Sequence, residues 1–323
     1  MSNRTTMATL SLEVSSEADA YAYFEKLRWN GNPVCAHCDS LNVYFIETAN
    51  GVSRATRTGA QSERRVWRCR DCKRQFSVIT NTMMHGTKVA IRIWLMVIFE
   101  LCSSKNGVAA REIERKYGVA GRSAWFMLHR IREAMSRDDF YKFTGDVAVD
   151  EAYLGGDPTN WHADRRASMG AKASRGSKKT PVVSLIDAER GVARSQVVSW
   201  VDSKSLRDVI SANVDMATAV LHTGSHKGYL PVGSVMAGHH VVNHKAGQYV
   251  TEKSKGTNQA ENFFSQLKRS LDGTHHHVSV EHLPRCLAEF DYRYSTCDMT
   301  DAERMADLAG RVAGRLTYKT VTR

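Results

Sequence analysis

The chain has 323 residues, enough for two or three compact domains, each with its own core. Lysine and arginine outnumber aspartate and glutamate by 45 to 34, and this excess favours a polyanionic partner. A spanning helix is excluded by pattern: the longest apolar run, Ile93 to Phe99, is closed by Arg92 and Glu100, well short of the roughly 20 residues required. No charged-then-apolar signal segment opens the chain, so a cytoplasmic location and no membrane partner are expected. Seven cysteines in that setting argue against a disulfide framework.

Residues 1–33 read as an N-terminal helical segment, and residues 34–80 as a metal-stapled ribbon. Cys35-Ala-His-Cys38 and Cys69-Arg-Asp-Cys72 are two C-x-x-C knuckles with 30 residues between them. Four thiolates from two tight turns can close a tetrahedral Zn²⁺ site, whereas a redox C-x-x-C needs no second copy. Structural Zn²⁺ on Cys35, Cys38, Cys69 and Cys72 is therefore expected. Cys102, Cys286 and Cys297 are scattered and read as core or incidental. Residues 54–74 carry Arg54, Arg57, Arg64, Arg65, Arg68, Arg70, Lys73 and Arg74 against Glu63 and Asp71. Val66, Trp67, Phe76 and Val78 alternate as ribbon strands do. An arginine-studded ribbon suits a grip on backbone phosphates; a solvated charged face is the plainer alternative.

Residues 86–137 read as a helical domain. The stretch 87–103 is apolar nearly all round and suits a buried helix. Segments 108–118 and 121–135 carry inward stripes, with Gly118 between them where a sharp turn needs positive φ. Two short helices joined in this way fit a helix-turn-helix, with Arg122, Ser123, His129 and Arg130 expected to face a DNA groove. Any helical bundle can produce the same pattern.

From residue 145 to 295 strands and helices alternate, which predicts a mixed α/β sheet. Strands are expected at 147–153, 181–187, 192–201, 218–222 and 240–243, and helices at 203–213, 258–271 and 280–294. Residues 157–180 interrupt this pattern as a basic loop with Arg165, Arg166, Lys172, Arg175, Lys178 and Lys179, suited to following a phosphate backbone. Trp161 and His162 precede those charges and suit base stacking or packing equally well. Residues 296–323 read as one C-terminal helix without an assigned task.

Asp150 and Glu151 must face opposite sides of their strand. Asp150 shares a face with Ala148, and Glu151 with Val149 and Tyr153. On the later helix Glu261, Ser265 and Lys268 lie along one face, while Ala260, Phe264, Leu267 and Leu271 form the core stripe. A carboxylate closing a strand and another on a distant helix are what a Mg²⁺-dependent phosphodiester enzyme requires. Taken alone, Glu261 reads rather as the N3 partner of an Asn258 N-cap, and Lys268 as a solvated lysine.

Five motifs tip that balance: VDEAYLGG, TPVVSLIDAERGVAR, the VNH of 242–244, TNQAENFFSQLKRSLDGTHHHVSVEHL and the EFDYRY of 289–294. Over roughly residues 20–295 they resemble, in order, the zinc-ribbon transposases of insertion-sequence family 1595. The resemblance implies a zinc ribbon and a helix-turn-helix followed by an RNase H-like catalytic domain. It also implies a bacterial enzyme that cuts element ends and joins the liberated 3′-hydroxyl to target DNA with two Mg²⁺ ions. The implied partners are double-stranded DNA, as terminal inverted repeats and target, and a second copy of the chain. Carried over by position, Asp150 resembles the first metal-binding aspartate, Glu261 the third acidic position, and Lys268 the basic residue that follows it. Asn258 falls in the family's Thr-Asn pair. At the second acidic position the family has Thr-Asp and this chain has Thr223-Gly224. Glycine offers no oxygen ligand, so two carboxylates would have to hold two divalent ions. His222 and His226 lie near the gap, and either could ligate a softer ion such as Mn²⁺. Two expectations stand: a transposase with weakened Mg²⁺ binding, or a DNA-binding protein of transposase ancestry that cuts poorly.

Overall fold

The computed structural model describes residues 5–47, 54–55, 61–62, 64–136, 141–155, 179–242, 257–276, 278–311 and 316–322. The chain divides into two units, Met1–Met135 with Asp298–Arg323, and Ser136–Cys297.

In the first unit, helices α1 (Met7–Glu13) and α2 (Glu17–Trp29) start at capping boxes built by Thr6 with Thr9 and by Ser16 with Asp19. Strands β1 (Val43–Phe45), β4 (Trp67–Cys69) and β5 (Gln75–Phe76) form an antiparallel sheet in the order β1-β4-β5. The short pair β2 (Arg54–Ala55) and β3 (Gln61–Ser62) lies apart from it in the sheet pattern. This ribbon is built onto α2. Glu25 accepts hydrogen bonds from Arg65 Nε and Trp67 Nε1, both at 2.8 Å, and Trp29 meets Trp67 and Phe76 edge-on.

Helix α3 (Ile91–Ser103) buries nine of its residues, as its all-round apolarity requires. Glu17 caps its start by accepting from the N–H groups of Ile91 and Arg92. Helix α4 (Ala110–Tyr117) ends at Gly118, with φ of 65°, and α5 (Gly121–Met135) follows. Among the described residues of 296–323 two helices stand where one was expected. The first, Asp301–Gly310, packs on α2 and α3; a final turn spans Tyr318–Val321 and meets α5.

The second unit holds a five-stranded sheet of β6 (Phe143–Leu154), β7 (Thr180–Asp187), β8 (Val192–Val197), β9 (Val214–Thr223) and β10 (Gly238–Val241). The order is β10-β9-β6-β7-β8. Strands β6, β7 and β8 run antiparallel, β9 lies parallel to β6, and β10 parallel to β9. Each parallel pairing requires a crossover, and α6 (Ser203–Asn213) provides the one into β9.

Alternation along the strands separates two cores. Val147, Val149, Val183, Leu185 and Leu221 pack against Leu206, Val209, Ile210 and Tyr229 on one face. Ala148, Ala152, Val182 and Ile186 pack on the other against α7 (Asn258–Ser270) and α8 (Leu283–Ser295), through Ala260, Phe263, Phe264, Leu267, Leu287 and Phe290. Asp150 therefore belongs to the α7 face and Glu151 to the opposite one, where Tyr229 Oη donates to Glu151 at 2.7 Å. Among the described residues no helix is long and apolar enough to cross a membrane.

Candidate active site and zinc centre

The two knuckles share one geometry. In each, the N–H two residues past the first cysteine approaches that cysteine's sulfur, His37 N to Cys35 Sγ at 3.4 Å and Asp71 N to Cys69 Sγ at 3.3 Å. Each turn then passes through a left-handed residue directly after its second cysteine, Asp39 at φ 57° and Lys73 at φ 61°. Strand pairing of Val43 with Cys69 brings the knuckles together, so that the four sulfurs lie within 4.8 Å of one another. Thiolate donors at this spacing fit a tetrahedral Zn²⁺ ion. The donor set of Cys35, Cys38, Cys69 and Cys72 supports structural zinc. The Cys69 thiol is buried, yet N–H groups of Cys72 and Asp71 bring it down to about 7, towards the thiolate that zinc requires.

The second site lies at the end of the sheet. Asp150 stands on β6 beneath α7, and its carboxyl is pushed up to about 7 by burial first, then by the negative charges of Glu151 and Glu261. The Glu151 N–H and the positive charge of Lys268 act in the opposite direction. Helix α7 thus brings Glu261 and Lys268 within electrostatic reach of Asp150. Its core stripe of Ala260, Phe264 and Leu267 is buried against the sheet, and Lys268 stays exposed.

The capping alternative for Glu261 fails in its expected form. The N-cap is Thr257, with no side-chain cap bond; its hydroxyl donates to Glu261 Oε1 at 3.1 Å, and Asn258 is exposed in the first turn. An acid whose folded pKa lies above its unfolded value loses stability as pH rises. Well below pH 4 Asp150 is neutral in both states and costs nothing; above about pH 7 the full penalty has developed. Asp150→Asn is expected to melt together with the native chain at about pH 3. At pH 8 without divalent cations it should be more stable by about 1–3 kcal/mol, measured by thermal unfolding.

Gly224 directly follows the paired strands. Strand β6 pairs Ala148 with His222 and Val149 with Thr223, the last residue of β9, so Asp150 and Gly224 each lie one residue beyond the last pair of this ladder. A Cβ added at Gly224 meets no atom within 4 Å, and its φ lies outside the left-handed range. Each neighbouring histidine uses one ring nitrogen: His222, which is buried, bonds Asp146 Oδ1 through Nε2 at 2.7 Å, and His226 Nδ1 accepts from Gly228 N–H. The donor set of Asp150 and Glu261 offers hard oxygens that suit one Mg²⁺ ion completed by water, and does not suit a pair of such ions.

The arginines expected at nucleic acid are used unevenly. Arg65 pairs with Glu25 and lies over Phe45, and Arg64 donates to Ser77 Oγ at 3.0 Å. Arg68, Arg70 and Arg74 are exposed on the ribbon, with Arg70 over Tyr44. Arg122 and Ser123 are exposed at the start of α5. His129 and Arg130, expected to face a groove, are buried. The Arg130 guanidinium lies over Trp94 and Phe126 and donates to His85 O at 2.7 Å. An arginine stem is apolar enough to fill a core when its head finds a carbonyl, and charge counting along a helix does not register that. Lys179 is half-buried at the start of β7. Arg165, Arg166, Lys172, Arg175 and Lys178, with Trp161, His162, Asn243 and His244, lie outside the described residues.

One polar group escaped sequence reasoning. Ser184, opposite Asp150 in register, meets Ser195 Oγ at 2.8 Å, and Ser195 in turn donates to Asp291 of α8. The signal was present in EFDYRY, where Asp291 is an acid among aromatics, but pairing across β7 and β8 could not be read from the sequence.

Comparison with known proteins finds two domain matches. Residues 142–295 match the ISXO2-like transposase domain, and residues 15–75 match the transposase zinc-ribbon domain. The second match takes in α2, in keeping with the Glu25 and Trp29 contacts that seat the ribbon. The chain is also similar to an uncharacterized protein in transposable element ISH50 of Halobacterium salinarum. The two are 22% identical over 286 residues, spanning 86% of this chain and 90% of that protein.

Proposed function

This chain belongs to the zinc-ribbon transposases of insertion-sequence family 1595, and on that premise we propose that it binds the ends of a mobile element while cutting them poorly. The sheet order β10-β9-β6-β7-β8, with an antiparallel half and a parallel half, is consistent with an RNase H-like catalytic domain. The single observation that carries the reading is Gly224 one residue past Thr223, as Asp150 is one residue past its partner Val149, where the resemblance puts the second acid.

In this reading Asp150 and Glu261 hold a divalent cation, which when bound supplies Lewis-acid activation of phosphodiester oxygens. Lys268 offers a positive charge on the same helix face, suited to a neighbouring phosphate, and Asn258 flanks the site at the helix start. The missing carboxylate leaves less negative charge and an open coordination position, so cation binding is weak and cleavage slow. Element ends and target are double-stranded DNA. The ribbon contributes Arg68, Arg70 and Arg74 to phosphates, and α4 with α5 acts as a helix-turn-helix presenting Arg122. A dimer bridging two ends is part of the proposal. A co-opted DNA-binding protein is the second reading, favoured by the same glycine.

A duplex carrying the element's end tests both halves. The native chain should retain it in a gel and leave its strands intact in Mg²⁺. Robust nicking would overturn impaired cleavage, and failure to retain the duplex would overturn end binding. Replacing Arg68, Arg70 and Arg74 by alanine should flatten the slope of log affinity against log salt by about 0.9 for each phosphate that is no longer neutralised.

A further inference from the structure

One transverse row crosses the sheet on the face that carries Asp150. Asp150 pairs with Ser184 of β7, and Ser184 pairs with Ser195 of β8. Helix α8 closes the row with Asp291. Ser195 is held there twice: its N–H donates to Asp291 Oδ2 at 2.8 Å and its hydroxyl to Oδ1 at 2.6 Å.

A serine hydroxyl has one proton to give. Ser195 gives its proton to Asp291, so the 2.8 Å contact between Ser184 Oγ and Ser195 Oγ is made with the proton of Ser184. Ser184 is fully buried, and with its proton committed it offers only lone pairs to the neighbour across the strand. That neighbour is Asp150. Cross-strand partners on one face have Cβ atoms about 4.5–5.5 Å apart, close enough for the direction of a hydroxyl to be felt.

We infer that Asp291 is a positioning residue for Asp150: acting through Ser195 and Ser184, it withholds a side-chain hydrogen bond from the Asp150 carboxylate and keeps that carboxylate free for a divalent cation. The inference rests on the proposed role of Asp150 as a cation ligand. It assigns work to three residues that the metal site does not itself include.

Asp291→Asn reverses the chain of donors with almost no change of shape. The Ser195 N–H can only donate, so it selects the amide oxygen and leaves Nδ2 facing the Ser195 hydroxyl. The amide then donates to Ser195, Ser195 to Ser184, and the Ser184 proton is released towards Asp150, where it competes with the cation. With Mn²⁺ as the probe, free ion counted by electron paramagnetic resonance in titrations of the full chain, Asp291→Asn should weaken binding about tenfold.

In a Ser184→Ala background no hydroxyl remains to turn, and Asp291→Asn should then change affinity less than twofold. A merely structural pin would not show that dependence. Asp150→Ala separates the two levels of the claim: unchanged Mn²⁺ binding in that variant removes Asp150 as a ligand and overturns the proposed function. Loss of binding in Asp150→Ala, with native affinity in a folded Asp291→Asn chain, overturns this inference alone. So does a tenfold weakening that persists in the Ser184→Ala background. Should Asp291→Asn fail to fold, Ser195→Ala frees the same Ser184 proton and is expected to weaken Mn²⁺ binding equally; native affinity there counts against the inference.

Discussion

Gly224→Asp is expected to raise Mg²⁺-dependent nicking of an element-end duplex by roughly 10²–10⁴-fold, the effect of about 3–5 kcal/mol in the transition state. DNA retention should stay as it is in the native chain, because the substitution lies in the sheet unit and the ribbon arginines belong to the other unit. Three observations make the aspartate acceptable to the fold. Gly224 does not use a left-handed backbone, no atom stands within 4 Å of the added Cβ, and the residue follows Thr223, the partner of Val149, just as Asp150 follows Val149. The expected cost appears only without cations. A third carboxylate beside Asp150 and Glu261 adds repulsion to a site where Asp150 is already pushed up to about 7. Melting temperature should therefore fall in buffer without Mg²⁺ that leaves the zinc in place, and recover when Mg²⁺ is added, a linkage the native chain shows more weakly. Equal nicking by the native and aspartate forms would remove Gly224 from the account of impaired cleavage.

Cys69→Ser should abolish stoichiometric zinc and unfold the ribbon. Structural Zn²⁺ contributes about 10–16 kcal/mol of apparent binding free energy at neutral pH in small zinc modules, more than a ribbon of three short strands can replace. The loss reaches beyond the metal. Strand β4 carries Cys69 next to Trp67, which packs on Trp29 and donates to Glu25, so the near-ultraviolet signal of that aromatic cluster should collapse with the zinc. Mn²⁺ binding at Asp150 and Glu261 should be unaffected, since the sheet unit has its own cores. An unchanged zinc content would refute the assignment of the four thiolates. Acidification is expected to release zinc from the native chain, because thiolates must take up protons as the ion leaves.

Local chemistry was legible without coordinates. Two C-x-x-C knuckles define a ligand set by themselves, since the spacing forces each pair onto one turn. The apolar run of α3, the stripe of α7 and the alternation around Asp150 follow from helical and strand periodicities, which are properties of the backbone. The glycine at 224 could be seen as a missing acid because a residue type either has an oxygen ligand or does not.

What required the tertiary structure was everything that depends on which strand lies beside which. Only the parallel register of β6 and β9 puts Gly224 and Asp150 each one residue past the same strand pair, and only the antiparallel pairing of β6, β7 and β8 aligns Ser184 and Ser195 into a row ending at Asp291. Burial was decided there too. Arg130 and His129 look like surface residues in a basic helix, yet Trp94, Phe126 and the His85 carbonyl take Arg130 into the core. Sequence specifies what each side chain can donate, accept or bury; hydrogen bonds between distant strands and the packing of one helix on another decide which partner it meets.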